Sequence, residues 1–209
     1  AEGRTASGNK DTMVHVPHYG EIEAPPLDLE RTFRGVEAYF GAGLILRRGA
    51  AVVDVGASIG ALAIAAAKRC EGEVEAWCYE PVPALYAALE HNLWKNDWLA
   101  GGKHRALNAA ISGSRRGLTL ADAVENAAVP RIDLLRLDVG NSTVEVLANA
   151  RRSMWSRVDQ IVIEAEDDAV RLRAVLAIVL AQGFGRLCIL GPSMRRRRGV
   201  VVIAARPAD

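Results

Sequence analysis

The stretch AVVDVGASIGALAIAAAKR, residues 51–69, decides the fold that we expect for this chain. It begins with a short apolar run, turns at Gly56 and Gly60, and continues as a run of small, helix-forming residues. A buried strand, a glycine turn and a helix in this order are typical of a parallel sheet covered by helices. The turn itself, GASIG, fits three kinds of site: a serine nucleophile elbow, a dinucleotide-binding turn, or a loop for a cationic nucleoside.

The alternation of apolar strands with helical patterns continues along the chain. The spacing predicts seven strands, in the order AAVVDV, EAWCYE, RALNAAIS, IDLLRLDV, QIVIEAE, RLCIL and VVVIAAR. Helices are predicted at residues 27–46 and at ALAIAAAKRC, PALYAALEHNLWKND, LTLADAV and VRLRAVLAIVLAQGF. Only GPSMRRRRG joins the last two strands, which is too short for a parallel crossover, so these strands should pair antiparallel. We therefore predict an α/β fold with a mostly parallel sheet, an antiparallel last strand and helices on both faces.

The composition indicates a single domain with a large core. Of the 209 residues half are apolar, and Lys plus Arg number 26 against 25 for Asp plus Glu. We predict one domain at residues 27–209, preceded by a tail at residues 1–26 in which His15 and His18 belong to a candidate lid. No apolar run reaches the roughly 20 residues of a membrane span, and the balanced charge gives no general attraction for nucleic acid. We expect a soluble, cytoplasmic protein with reduced cysteines.

The nucleophile-elbow interpretation of GASIG fails on the positions of the histidines. The pattern G-x-S-x-G would make Ser58 the nucleophile, and in that fold the catalytic histidine comes late in the chain. After Ser58 the sequence has only His91 and His104, in or just after the helix PALYAALEHNLWKND. We therefore do not expect Ser58 to be a nucleophile.

An acid before the loop argues against a dinucleotide. The loop contains no G-x-G, and Asp54 stands two residues before Gly56, where a carboxylate would repel a pyrophosphate. The same carboxylate suits S-adenosylmethionine, which carries a sulfonium and an amino group and has no phosphate. Asp54 can bond the amino end, directly or through water, or accept backbone N–H groups of the loop.

A second acid follows at the spacing expected for ribose recognition. Glu80 ends the strand EAWCYE twenty residues after Gly60, where an acidic side chain can accept hydrogen bonds from both ribose hydroxyls. Pro81 and Pro83 stiffen the turn that follows. We expect the Glu80 carboxylate to be held at the carboxyl edge of the sheet, where open α/β sheets bind their ligands.

Five segments together resemble the FkbM family of S-adenosylmethionine-dependent methyltransferases. The similarity covers roughly residues 45–190, and its segments are DVGASIG, YEPVPALYAALEHNLWKND, ALNAAIS, LTLADAVENAAVPRIDLLRLDVGNSTVEVLANA and QIVIEAE. The resemblance implies a Rossmann-like class I methyltransferase fold with a seven-stranded sheet whose last strand is antiparallel. It also implies methyl transfer, commonly to a hydroxyl oxygen.

The same resemblance implies where the cofactor binds. Ser58 stands where the family usually has asparagine, and as a small polar group it should line the methionine end. The family's glycine loop falls on Asp54, Gly56, Ala57 and Gly60. Its ribose-binding acid falls on Glu80, with Pro81 beside it, and its adenine contacts fall on Asn108 and Ala109.

Two departures limit what the resemblance transfers. Family members typically have Asp-x-Glu-Gly after the IDLLRLD strand, whereas Asp138 is followed here by Val139, Gly140 and Asn141. A role tied to the family's glutamate is therefore not transferred. The variable segment before LTLADAV is also reduced here to SRRG.

Methyl transfer from a sulfonium is an in-line displacement in which the acceptor loses a proton. The candidate bases at the ends of the fourth and fifth strands are Asp138, which is also a candidate cofactor-positioning group, and Glu164. Carboxylates of this kind can hold a divalent cation, but no dense Asp/Asn motif indicates one, and we expect no metal. Trp94 and Trp98 are interpreted as packing residues rather than as a base-stacking platform.

The expected acceptor is a hydroxyl group on a small natural product or saccharide, carrier-bound or anionic, with no nucleic-acid or membrane partner. The basic run at residues 195–198 either attracts such an anion or is a solvated hairpin tip. Because the segment after Asp138 is altered, a cofactor-binding module without turnover is an alternative hypothesis, and a nucleic-acid methyltransferase is a third. The sequence determines neither the acceptor nor the oligomeric state.

Overall fold

The computed structural model of the chain describes residues 12–16, 18–25, 29–95, 103–114, 117–191 and 199–207. This part of the chain contains a two-stranded hairpin and a seven-stranded mixed sheet. The hairpin is formed by β1 (Thr12–Val16) and β2 (Gly20–Ala24), and the helix α1 (Leu29–Gly41) follows it.

The central sheet has the strand order β5-β4-β3-β6-β7-β9-β8. Its strands are β3 (Ala50–Val55), β4 (Val74–Tyr79), β5 (Lys103–Leu107), β6 (Leu134–Leu137), β7 (Gln160–Glu166), β8 (Arg186–Leu190) and β9 (Gly199–Ala205). The five strands from β5 to β7 pair in parallel, and β9 lies antiparallel between β7 and β8. The predicted antiparallel ending is confirmed, because the short connection after β8 reverses the chain into the neighbouring position.

Helices cover both faces of the sheet, as predicted. They are α2 (Ala61–Arg69), α3 (Pro83–Lys95), α4 (Leu120–Asn126), α5 (Thr143–Ala148), α6 (Arg152–Trp155) and α7 (Ala169–Ala181). In β3 all six residues are buried: Val52 packs in the core shared with α1, α2 and α3, and Val53 packs in the core shared with α4 to α7. Burial on both faces explains why β3 is a continuous apolar run rather than an alternating one.

The hairpin at residues 12–24 is a feature that the sequence pattern did not predict. Ile22 is buried in the core, and Tyr19 stacks on Phe33 of α1 with ring centroids 4.4 Å apart. Asn92 of α3 accepts from the amide of Glu23 at 2.8 Å and donates to its carbonyl at 2.9 Å. The hairpin is therefore packed against α1 and α3; movement of this segment over a bound ligand stays a prediction, and residues 1–11 lie outside the described part of the chain.

One surface residue differs from the sequence interpretation. Trp94 is 81% exposed, so its interpretation as a packing residue is wrong. Trp98 and the basic run at residues 195–198 lie outside the described residues, and their interpretations stay predictions.

The three cysteines are free, as expected, with Cys70 and Cys78 buried and Cys188 half-buried. Burial raises the pKa of the Cys78 thiol well above its ordinary value, with the nearby Asp54 carboxylate adding to the effect. Across the described residues, no helix combines the length and the apolar character needed to cross a membrane.

Candidate cofactor and active site

The carboxyl ends of β3, β4, β5 and β6 meet at one edge of the sheet, called the carboxyl edge below, because these strands are parallel. The loop after β3, residues 56–60, lies at this edge. Glu80, Asn108 and Asp138 are the first residues after β4, β5 and β6. The fold therefore brings the ends of four strands together at one edge, and cofactor binding by these residues stays a prediction.

Backbone hydrogen bonds hold the glycine loop against the neighbouring strands. The carbonyl of Tyr79 accepts from the amides of Gly56 at 2.8 Å and Ala57 at 3.0 Å. Gly56 has a φ of 83°, and a Cβ at this position would stand 2.1 Å from the carbonyl oxygen of Asp138. Only glycine fits such a close backbone approach. Ser58 has a φ of 54°, in the left-handed region that residues other than glycine rarely adopt.

Glu80 is the residue that fixes the shape of this loop. Its buried carboxylate accepts from the amide of Ser58 at 2.7 Å and from the amide of Val82 at 2.9 Å. The side chain of Asn108 donates to the Glu80 carbonyl at 2.9 Å. Because each carboxylate oxygen has two lone pairs, Glu80 keeps the capacity to accept hydrogen bonds from ribose hydroxyls as well.

Asp54 has a different environment from the one that the sequence suggested. In the structure its Oδ1 accepts from Nη1 of Arg136 at 2.9 Å, and the role of accepting a loop amide falls to Glu80. Among the described residues, the buried Oδ2 of Asp54 has no hydrogen-bond partner. A buried carboxylate oxygen without a donor carries a desolvation cost, and a ligand amino group or a water that bridges to it would remove that cost.

Arg136 is the centre of the site, and the sequence interpretation missed it. It lies in β6 and is only 1% exposed. Its Nη1 also donates to the carbonyl of Gly56 at 2.7 Å, and its Nη2 donates to Asp138 at 3.0 Å and to Glu164 at 2.6 Å. Burial acts to lower the pKa of the guanidinium, but the charges around it, Asp54 first, raise that pKa well above its ordinary value.

The two candidate bases occupy different depths. Glu164 is 0% exposed, and its Oε1 accepts from the Tyr39 hydroxyl at 2.6 Å as well as from Arg136. The Asp138 side chain keeps 13% exposure at the end of β6. Of these two carboxylates, Asp138 is therefore the one that a substrate can reach without a rearrangement of the core.

The electrostatics of this edge suit a cation. Four carboxylates (Asp54, Glu80, Asp138 and Glu164) against the one guanidinium of Arg136 give the group a formal charge of −3. No arrangement of three or more His, Cys, Asp or Glu side chains suited to a metal ion occurs in the described residues. The point on which three of these carboxylates converge is occupied by the Arg136 guanidinium. The donor set thus fits a cationic nucleoside cofactor.

A cavity of about 730 Å³ lies at the opposite end of the strands, called the amino edge below. Arg131 pairs there with Asp159, and Arg206 donates to the carbonyls of Val158, Gln182 and Trp155. The charged side chains of its lining are Arg47, Arg48, Arg131, Asp133, Asp159, Arg186 and Arg206. Because five arginines stand against two aspartates in this lining, the cavity is not a second acidic site for the same cofactor.

The fold resembles that of precorrin-6y C5,15-methyltransferase from Geobacter metallireducens, with a TM-score of 0.56 and 16% identity over 83% of this chain and 87% of that one. It also resembles M. capricolum TrmK in complex with S-adenosyl-homocysteine, with a TM-score of 0.55 and 11% identity over 86% of this chain and 68% of that one.

No protein-family model matches the sequence. In an alignment 231 positions long, the chain is 26% identical to the 31-O-demethyl-FK506 methyltransferase FkbM of Streptomyces tacrolimicus. The alignment covers 84% of this chain and 86% of that protein. The chain is thus similar to an FkbM methyltransferase over most of its length. The resemblance inferred from DVGASIG and the later segments is confirmed, and the chain has the class I methyltransferase fold.

One sequence signal could have revealed Arg136. The strand β6, LLRL at residues 134–137, is apolar on both faces except for that arginine. A charge buried in such a strand needs charged partners, and Asp54, Asp138 and Glu164 stand near the ends of neighbouring strands. The buried Asn92, whose side chain donates to the Ile59 carbonyl at 3.0 Å, gave no comparable signal in the sequence.

Proposed function

We propose that this protein is an S-adenosylmethionine-dependent methyltransferase that methylates a hydroxyl oxygen of a natural-product or saccharide acceptor. The observation that carries the cofactor assignment is the acidic carboxyl edge, where the unpartnered Oδ2 of Asp54 lies beside a glycine loop held by Glu80. A net negative site disfavours phosphate ligands and favours a sulfonium with an amino group.

In our proposal, different residues of this edge contact different parts of the cofactor. Asp54 faces the amino end, and Glu80 accepts hydrogen bonds from the ribose hydroxyls. The remaining positions are Gly56, Ala57, Ser58 and Gly60 along the methionine end, Pro81 beside the ribose, and Asn108 with Ala109 at the adenine. When bound, S-adenosylmethionine supplies an electrophilic methyl group on its sulfonium.

Asp138 is the proposed proton acceptor. Its carboxylate is partly exposed at the end of β6, and Arg136 holds one of its oxygens at 3.0 Å. A carboxylate in this position can orient an acceptor hydroxyl and take its proton as the oxygen becomes bonded to carbon. The buried Glu164, the other candidate base, does not contact the acceptor in this proposal; it accepts a hydrogen bond from Arg136 and holds that side chain in place.

The acceptor class is supported by the similarity to the FkbM protein. The FkbM protein of Streptomyces tacrolimicus is named for a 31-O-demethyl-FK506 substrate, which is a natural-product hydroxyl acceptor. The precorrin-6y enzyme has the same fold and a different kind of acceptor, so the fold by itself does not determine the acceptor. An anionic or carrier-bound form of the acceptor stays a prediction.

Calorimetry with S-adenosylhomocysteine tests the cofactor assignment. We expect the wild-type protein to bind, and Asp54→Asn and Glu80→Gln each to weaken binding at least tenfold, about 1.4 kcal/mol. Asp159→Asn at the amino edge is the matched control, since it removes a carboxylate that is remote from the loop, and it should bind as the wild type does. Equal affinities for all four proteins would refute the site.

A turnover assay tests the reaction. S-adenosylhomocysteine release is measured with a panel of hydroxylated macrolides and glycosides, and we expect Asp138→Asn to lower turnover by roughly 100-fold, in the range of general-base effects. Full turnover by both Asp138→Asn and Glu164→Gln would exclude both as bases. Methylation of amines in preference to hydroxyls would contradict the acceptor class, and binding without release over the whole panel would favour a non-catalytic cofactor-binding module.

A further inference from the structure

We propose that Arg136 is a positioning residue that couples the cofactor loop to Asp138, so that one guanidinium sets both sides of the reaction site. The inference rests on the proposed function, because it assigns the loop to the cofactor and Asp138 to the acceptor. It concerns a residue of a buried strand that, in this proposal, contacts neither the cofactor nor the acceptor directly.

The first half of the coupling is the contact of Arg136 with the cofactor side. Its Nη1 donates to Asp54 Oδ1 at 2.9 Å and to the carbonyl of Gly56 at 2.7 Å. Asp54 is the last acid before the loop and Gly56 is the loop's first residue, so this nitrogen fixes the point at which the loop leaves β3. The same bond orients the Asp54 carboxylate and leaves its Oδ2 without a protein partner among the described residues.

The second half is the contact with the acceptor side. Its Nη2 donates to Asp138 Oδ2 at 3.0 Å and to Glu164 Oε1 at 2.6 Å. Because a guanidinium is planar and its nitrogens have fixed relative positions, a shift of Asp54 or Gly56 tilts the group and changes the place at which Asp138 is held.

The guanidinium has little freedom to relax. Arg136 is 1% exposed, and Glu164, which anchors it from behind, is held in turn by the Tyr39 hydroxyl of α1 at 2.6 Å. A charged network from which water is excluded tolerates few alternative geometries, because an unpaired buried charge is strongly destabilising. The position of Asp138 is therefore tied to the position of the loop by a chain of short contacts.

Lysine at this position provides the most direct test. Arg136→Lys keeps the positive charge, but one ammonium group cannot bond Asp54, the Gly56 carbonyl and Asp138 with the geometry of a fork. We expect its S-adenosylhomocysteine affinity, measured by calorimetry on the folded protein, to fall at least tenfold. A folded Arg136→Lys protein with wild-type affinity would overturn the proposal.

A charge-balanced variant separates geometry from the electrostatic field. Three carboxylates and one guanidinium give the cluster a formal charge of −2, and Arg136→Met combined with Glu164→Gln leaves two carboxylates and the same −2. A tenfold or larger loss of affinity in this double variant supports positioning, whereas wild-type affinity contradicts it. Arg131→Gln is the matched control: it removes an exposed arginine at the amino edge, which pairs with Asp159 and lies far from the loop, and it should bind within about twofold of the wild type.

Amide hydrogen exchange gives a readout that needs no cofactor. In the double variant we expect faster exchange both at residues 56–58 and at Asp138, while exchange in the hairpin at residues 12–24 is unchanged. Acceleration at only one of the two places would contradict coupling. Because this result does not depend on S-adenosylhomocysteine, a wild-type protein that failed to bind it would refute the proposed function and leave the exchange test of Arg136 intact.

On the unmodified protein, nuclear magnetic resonance can follow the Arg136 Nε–H, which is buried and has no hydrogen-bond partner among the described residues. Its resonance should shift as S-adenosylhomocysteine saturates the site, because ligand contact with the loop moves the guanidinium. No shift at saturation would overturn the coupling.

Discussion

The two edges of the sheet use the same chemical groups and differ in burial. At the carboxyl edge, Arg136 is 1% exposed and lies among three carboxylates that are at most 13% exposed. At the amino edge, the paired side chains of Arg131 and Asp159 are 67% and 24% exposed. An exposed pair can exchange its contact for water at almost no cost, whereas a buried one cannot.

This difference shows where the fold can support precise chemistry. A buried guanidinium that must satisfy Asp54, Asp138 and Glu164 together allows few side-chain arrangements, and those residues stand at the proposed site. The exposed pair of Arg131 with Asp159 at the amino edge can be lost with little change elsewhere.

Removal of the buried cation should have the largest effect on stability. Arg136→Met leaves Asp54, Asp138 and Glu164 uncompensated, and breaking a buried ion pair in this way costs about 3–5 kcal/mol. Urea unfolding followed by circular dichroism measures the loss. A loss of about 1 kcal/mol or less, one third of the lower end of that range, would mean that water reaches the cluster. The contrast between the two edges would then be wrong.

A methyl group at Gly56 should have the next largest effect. Gly56→Ala combines a left-handed backbone with a Cβ placed 2.1 Å from a carbonyl oxygen, for a total of roughly 3 kcal/mol. The matched control is Gly49→Ala at the amino edge, where φ is also positive, at 80°, and no atom lies within 4 Å of the added Cβ. The control should lose only the backbone part, roughly 1–2 kcal/mol; equal losses in thermal unfolding would show that the close approach is not restrictive.

The capping box of α4 should show a smaller and pH-dependent effect. Asp122 accepts from the amide of Thr119 at 2.9 Å and from its hydroxyl at 2.7 Å. The hydrogen bond from the Thr119 backbone, followed by that from its side chain, lowers the pKa of Asp122 below its ordinary 3.8. We expect Asp122→Ala to cost about 1 kcal/mol at pH 7.

The sign of the pH dependence follows from the lowered pKa. A group with a depressed folded-state pKa contributes stability that is present above its unfolded pKa and is lost as the pH falls through the folded value. The difference in unfolding free energy between the wild type and Asp122→Ala should therefore be constant above pH 5 or so and shrink below the ordinary value of 3.8. A difference that grows on acidification would contradict the lowered pKa.

The smallest effect is expected at the amino edge. Arg131→Gln removes the exposed pair with Asp159 and should change the free energy of unfolding by about 1 kcal/mol or less. Added salt should reduce the difference further, because exposed charges are screened. A loss as large as that of Arg136→Met would remove the distinction between the two edges.

Most of the fold followed from patterns local to the sequence. The strand and helix periods, together with the short connection after RLCIL, were sufficient for a mostly parallel sheet with an antiparallel last strand. The positions of Asp54, Gly56 and Glu80 at the carboxyl edge also followed, since strand ends fall at one edge whenever the strands are parallel. The hairpin at residues 12–24 was missed although its second strand alternates polar with apolar residues, because a run of five residues gives only a weak periodic signal.

Which residues stand at the ends of strands follows from periodicity along the chain, whereas which of them bond to each other depends on how the strands pack. Arg136 meets Asp54 across 82 positions of the chain, and Tyr39 meets Glu164 across 125. Periodicity depends on neighbours within a few residues and carries no information on such pairings. The loop-amide contact expected of Asp54 is made by Glu80 for the same reason: a buried guanidinium attracts the nearest acids, and the packed strands decide which acids are near.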